Sequence, residues 1–65
     1  MKEKKVIRNL EGSYWNKAGQ CFLDESQATI FENFSQAMLE ARNASKIALV
    51  EIVSVWVNTD VEETA

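Results

Sequence analysis

The chain has 65 residues, of which 46% are hydrophobic and 26% charged, and its formal net charge is −3. This length allows one domain, and the proportion of apolar residues is too high for a disordered chain. Histidine is absent and there is a single cysteine, which excludes a disulfide framework, histidine-based catalysis and a Cys/His zinc site. We therefore expect one α+β domain that is not an enzyme and binds no metal or cofactor.

The first third of the chain predicts three short antiparallel strands. Val6 and Ile7 lie at the centre of an alternating segment, which is typical of a strand. Gly12 can take the positive φ of a tight turn, and Tyr14 and Trp15 after it are strand-forming residues. A polar segment that ends at Gly19 marks the next turn. The sequence thus predicts a β-meander with strands over about residues 4–10, 13–16 and 20–23.

The middle of the chain allows two interpretations. In one, a continuous helix runs over about residues 25–45 and is capped by Asp24. In the other, residues 28–31 are extended and Asn33 caps a shorter helix over about residues 34–45. Thr29-Ile30-Phe31 has poor helix propensity, which favours the shorter helix.

Residues 47–57 contain the strongest strand pattern in the chain and are expected to form a closing strand. The pattern is apolar on both faces, since only Glu51 and Ser54 interrupt it. One helix can cover only one face of a small sheet, so the other face should need a second cover. The helix is expected to pack on the sheet through a set of apolar contacts that joins Phe34, Ala37, Met38 and Ala41 to Val6, Phe22, Leu49, Val53 and Val55.

Three aromatic residues, Tyr14, Trp15 and Trp56, are the candidate interaction residues. Strand alternation directs Tyr14 and Trp15 to opposite faces, so at least one of them should be exposed or in an interface. Exposed aromatic residues with apolar neighbours mark protein–protein contacts. We expect a homo-oligomer with Trp56 in its interface, or a complex with another protein.

The uneven charge distribution suggests two alternatives to protein binding. The first strand is basic and could, with the aromatic residues, bind nucleic acid, although a net charge of −3 argues against this. The acidic side chains could instead imitate nucleic-acid phosphates in an inhibitor, although a solvated surface explains them more simply. The candidates for such phosphate mimicry are Asp24, Glu25, Glu32, Glu40 and Glu51.

Several short motifs resemble those of small uncharacterised proteins encoded by bacteriophages and prophages of Gram-positive bacteria. The resemblance covers about residues 5–57 and rests on V-I-R-N at 6–9, Gly12, Tyr14-Trp15, Asp24-Glu25, A-T-I-F at 28–31, Asn33 and V-E-I-V-S-V at 50–55. It implies the shorter helix with a cap at Asn33, and a phage accessory role without an assigned activity. A host or phage protein is the partner that such a role implies, as the alternative to a homo-oligomer. Two features depart from the pattern, namely Cys21-Phe22 and the greater length of the last strand.

The two ends of the chain predict little ordered structure and no export. Residues 1–3 and 59–65 are charged or acidic and are expected to be frayed. No apolar segment follows the basic N-terminus, and no apolar run reaches the length of a membrane-spanning helix. We expect a protein of the host cytoplasm that does not enter a membrane.

Overall fold

The computed structural model describes residues 2–57 and confirms the α+β fold. Four strands form one antiparallel sheet in the order β3-β2-β1-β4, and one α-helix accompanies it. Met1 and residues 58–65 lie outside the described residues, and with them the predicted frayed segment 59–65. The elements are β1 (Lys2–Asn9), β2 (Tyr14–Asn16), β3 (Cys21–Leu23), a short 3-10 helix (Glu25–Gln27), α1 (Phe34–Ala44) and β4 (Val50–Val57).

Two strand boundaries differ by more than one residue from those expected from the sequence. β1 begins at Lys2 rather than about residue 4, because Lys2 and Glu3 pair with the far end of β4. β4 begins at Val50 rather than at residue 47. The N–H groups of Ile47 and Ala48 both donate to the Ala44 carbonyl, so the end of α1 holds these two residues in a turn.

The connection before α1 confirms the shorter helix. Asn33 has extended backbone angles, and its side-chain oxygen accepts a hydrogen bond of 3.0 Å from the N–H of Gln36, which makes it the N-cap. Upstream, Phe31 and Lys5 exchange two backbone hydrogen bonds of 2.8 and 2.9 Å. A continuous helix would forgo both of these bonds, so the pairing with β1 explains why the helix starts only at Phe34.

The core lies between α1 and one face of the sheet. The indole ring of Trp15 meets Phe22 edge to face, with 5.0 Å between ring centroids. The alanines of α1 add little bulk, so the helix can approach these rings closely. The buried residues of the core are Ile7, Trp15, Phe31, Ala37 and Ala44, and Phe22, Ala41, Val50 and Ile52 pack against them while partly exposed.

The expected helix contacts are correct for Phe22, Ala37 and Ala41 and wrong for the others. Phe34 and Met38 are 50% and 53% exposed, because α1 turns the side that carries Ala37, Glu40 and Ala44 towards the sheet. The sheet residues that were expected beneath the helix are elsewhere. Leu49 is exposed before β4 begins, while Val6, Val53 and Val55 alternate with the core residues Ile7 and Ile52 and so lie on the opposite face. Val6 is buried there, with 2% of its surface exposed, so its expected burial is correct although the helix does not provide it.

Candidate interaction surface

The face of the sheet opposite α1, here called the open face, is largely apolar. Val6 lies beside Val53 and Lys4 beside Val55 in the pairing of β1 with β4, and Tyr14 lies beside Arg8 on the other side of β1. A hollow of about 190 Å³ opens at this face. Its lining includes Val6, Tyr14, Ile30, Val55 and Val57. This is the surface that the sequence predicts to need a cover other than the helix.

β4 also has an outer edge with which no strand of the described residues pairs. Lys5 directs both of its backbone hydrogen-bonding groups to Phe31, so its neighbours Lys4 and Val6 direct theirs to β4. Val53 and Val55, which pair with Val6 and Lys4, therefore direct their own backbone groups towards β1. By alternation, the backbone groups that point away from the sheet belong to Val50, Ile52, Ser54 and Trp56.

This outer edge carries few of the features that normally prevent strands from pairing between molecules. Exposed edge strands are usually short, or are interrupted by proline, lysine or a bulge. β4 has eight residues in continuous register with β1, and Glu51 is its one charged residue. The opposite edge of the sheet, β3, has only three residues. The two edges thus differ, and β4 is the one suited to accept another strand.

The structure separates the three predicted interaction residues. Trp15 is fully buried in the core and offers no surface to a partner. Tyr14 is partly buried on the open face. Trp56 is 62% exposed near the end of β4, and alternation directs it to the same side of the sheet as Ile52, beyond the part that packs against α1. Strand alternation thus assigns Trp56 and Tyr14 to different faces of the sheet, and both residues line the hollow.

Glu40 is a buried carboxylate that the sequence interpretation placed among exposed acidic residues, and that placement is wrong. It is 8% exposed and accepts hydrogen bonds from Trp15 Nε1 at 2.9 Å, Gln20 Nε2 at 3.0 Å and Asn43 Nδ2 at 3.3 Å. Burial raises the pKa of Glu40. The three hydrogen bonds and the charge of Lys17 together lower the pKa by more than burial raises it, so it lies below its ordinary value.

One sequence signal could have located the buried carboxylate. Glu40 follows Ala37 by three residues and precedes Ala44 by four, which is the spacing of the buried helix stripe. With its three hydrogen bonds satisfied inside the chain, Glu40 is part of the core and does not imitate a phosphate.

The basic side chains of β1 are engaged in ion pairs within the chain. Lys4 Nζ lies 2.6 Å from Glu32 Oε1, and Arg8 Nε donates to Glu51 Oε2 at 2.9 Å. The hydrogen bond from Lys4 lowers the pKa of Glu32, and the hydrogen bond to Glu51 raises the pKa of Arg8. These pairs neutralise cations that nucleic acid would need, and they also engage two of the proposed phosphate mimics.

A hydroxyl, an amine and a carboxylate meet where β1 and β4 pair beyond the helix. Lys5 Nζ donates to Ser54 Oγ at 2.7 Å and to Glu3 Oε2 at 2.9 Å, and the Ser54 hydroxyl donates to the same carboxylate. The hydrogen bond from Ser54 and the proximity of Lys5 lower the pKa of Glu3. A Ser–Lys nucleophile needs a serine hydroxyl that donates to the amine, whereas here the Ser54 hydroxyl donates to Glu3 and accepts from Lys5. The cluster therefore joins the two strands.

Comparisons with known proteins add no relative. No protein-family model matches the chain, and no curated protein or solved structure does so either. Within residues 2–57, no group of three or more cysteine, aspartate or glutamate residues could hold a metal ion, and no helix has the length and apolar character to cross a membrane. The resemblance to phage and prophage proteins stays a prediction.

Proposed function

We propose that this chain is a non-enzymatic accessory protein that acts by binding another protein chain through β4. The observation that carries the proposal is the outer edge of this strand. It is eight residues long, it has one charged residue, and no strand of the described residues pairs with it. Such an edge accepts a further strand, whose main chain satisfies the outward N–H and C=O groups.

The side chains beside this edge suit an apolar partner. Val53 and Val55 on the open face are only partly buried, and Trp56 on the other side is mostly exposed. In strand addition the backbone hydrogen bonds provide affinity, and side chains on the two faces provide specificity. A partner strand beside β4 would cover part of all three side chains, and Trp56 is the one that the sequence predicts to lie in an interface.

The resemblance of the short motifs to those of bacteriophage and prophage proteins suggests the biological setting of the proposal, an accessory role in the host cytoplasm. Binding of nucleic acid is less well supported, because Lys4 and Arg8 are already paired with carboxylates. Phosphate mimicry is also less well supported. The carboxylates of Glu32 and Glu51 are neutralised by these ion pairs, and Glu40 is buried.

Two matched substitutions test the proposal. Trp56 at the edge and Leu39 on α1 are similarly exposed, at 62% and 67%, so a lysine in place of either should leave the fold intact. We expect Trp56→Lys to abolish capture of protein partners by the immobilised chain, with a labelled second copy counted as a partner. Leu39→Lys should leave this capture unchanged.

Circular dichroism of both variants provides the folding control for this comparison. If Trp56→Lys remains folded and captures the same proteins as the unsubstituted chain in the same amounts, β4 is not the binding surface. If Leu39→Lys alone removes the captured proteins, the binding surface lies on α1 and the proposal is wrong.

A further inference from the structure

We propose that the partner of β4 is β4 of a second copy, paired antiparallel about a two-fold axis that passes beside Val53. This inference rests on the proposed function, because it names the occupant of the same strand edge. It joins two four-stranded sheets into one sheet of eight strands. The contact is the same surface on both copies, as two-fold symmetry requires.

The positions of the backbone groups select this register. The outward residues of β4 are Val50, Ile52, Ser54 and Trp56. An axis at Val53 places Val50 opposite Trp56 of the second copy and Ile52 opposite Ser54, so every outward residue of the strand meets another outward residue. A shift by one residue in the pairing would set outward residues against inward ones. A larger shift would leave part of the strand without a partner.

The charge on β4 favours the same register. With the axis at Val53, Glu51 lies opposite Val55 of the second copy. The two Glu51 side chains are then separated by four residues along the strands, or about 13 Å. This exceeds the screening length of about 8–10 Å at physiological salt, so the two carboxylates repel each other little. An axis closer to Glu51 would bring these carboxylates together on the open face.

The position of α1 makes the two halves of β4 complementary. Val50 and Ile52 pack against the core beneath the helix, whereas Ser54 and Trp56 lie beyond it. The two-fold axis sets the uncovered half of one strand beside the covered half of the other. Trp56, which is 62% exposed in the single chain, then lies next to Val50 of the second copy and gains an apolar neighbour.

The open face extends across this axis as well. Val53 lies beside Val6 within the chain and would lie beside Val53 of the second copy, so one row of valines crosses the centre of the joined sheet. The ion pair of Arg8 with Glu51 stands away from that centre and keeps its geometry. The self-pairing therefore covers apolar surface without burying an unpaired charge.

Disulfide trapping tests the register directly. In a Cys21→Ser background, which removes the free thiol, Val53→Cys places two thiols opposite each other in a non-hydrogen-bonded pair. Their Cα atoms would be about 4.5 Å apart, within the range that a disulfide spans. Val55→Cys in the same background is the matched control, since it lies on the same strand and face but about 13 Å from its symmetry mate. Mild oxidation should yield a covalent dimer of Val53→Cys and only monomer of Val55→Cys.

Sedimentation velocity of the unsubstituted chain at high micromolar concentration completes the test, and we expect a dimer. A monomer there, together with no cross-link in either variant, would overturn self-pairing. Preferential cross-linking of Val55→Cys would overturn the register centred on Val53. If self-pairing fails while Trp56→Lys still abolishes capture of a different protein, the proposed function stands with another partner. If capture is also insensitive to Trp56→Lys, both proposals fail.

Discussion

The hydrogen bond between Trp15 and Glu40 joins the sheet to the helix at the centre of the core. A buried indole N–H needs an acceptor, and Glu40 Oε2 supplies one at 2.9 Å. This contact fixes which side of α1 faces the sheet, because Glu40 can reach the indole only if Ala37 and Ala44 point inward with it. Phe34, which the sequence assigns to the core, is consequently turned towards solvent.

We expect Glu40→Gln to destabilise the fold at neutral pH by about 1 kcal/mol. The amide keeps an oxygen for the Trp15 N–H, but hydrogen bonds to a neutral acceptor contribute less than those to a charged one. Because the pKa of Glu40 is lowered in the folded state, its ionised form stabilises the fold above its ordinary pKa of about 4.5. This stabilisation is lost as the pH falls through the lower folded value.

Urea unfolding of both proteins between about pH 7 and pH 3 checks this prediction. The difference in unfolding free energy should be largest at neutral pH and should close in acid, since glutamine does not titrate. The pKa values of Glu3 and Glu32 are also lowered, but these residues are present in both proteins and cancel from the difference. A difference that stays constant over this range would contradict the role assigned to the Glu40 charge.

At the scale of the elements, the connection into α1 combines a cap with a strand contact. Asn33 accepts from the N–H of Gln36, and Gln36 Oε1 in turn accepts from the backbone N–H of Glu32 at 3.2 Å. Two backbone donors near the helix start are thus satisfied by side chains. Phe31, two residues before the cap, is held against Lys5 of β1. The start of α1 is therefore positioned by local hydrogen bonds and by the sheet together.

Removal of this cap by Asn33→Ala should lower the free energy of unfolding by about 1 kcal/mol, because the N–H of Gln36 loses its acceptor. Asn33→Asp is the matched control, since its carboxylate can accept the same bond and is favourable near a helix N-terminus. Thermal unfolding followed by circular dichroism measures both. Equal stability of the alanine and aspartate variants would show that the side chain at residue 33 does not cap the helix.

At the scale of the whole molecule, the single α-helix within residues 2–57 leaves the four-stranded sheet of this part of the chain incompletely covered. α1 covers the half of β4 that begins at Val50, while the open face and the outer edge carry apolar side chains and outward backbone groups. A domain of this size buries only about 60% of the surface of its unfolded chain. Pairing of two edges would add hydrogen bonds and apolar contacts that a single copy lacks.

Hydrogen exchange of the β4 amides distinguishes the two sides of this strand. The amides of Val53 and Val55 face β1 and should be protected at every protein concentration. Those of Ile52, Ser54 and Trp56 face outward and should exchange rapidly in dilute solution, then become protected as the concentration rises. Rapid exchange of the outward amides at all concentrations would contradict pairing of β4 with a second copy.

The sequence by itself determined the kinds of element and their order. Alternation and β-branched residues mark β1 and β4, Gly12 has the positive φ of 88° that its turn requires, and Asn33 caps α1 as predicted. These features depend on residues that are close together in the chain, so local patterns suffice to identify them. The apolar character of β4 on both faces likewise pointed to the candidate surface.

Only the tertiary structure decided which side chains are buried in the core and which remain exposed to a partner. Trp15 and Glu40 are 25 residues apart in sequence, and Arg8 and Glu51 are 43 apart, so no local pattern reveals either pair. The face of β4 that meets the helix follows from these distant contacts. Trp15 lies beneath α1 and is buried, whereas Trp56 lies beyond α1. Trp56 is therefore the exposed tryptophan beside the free edge of β4.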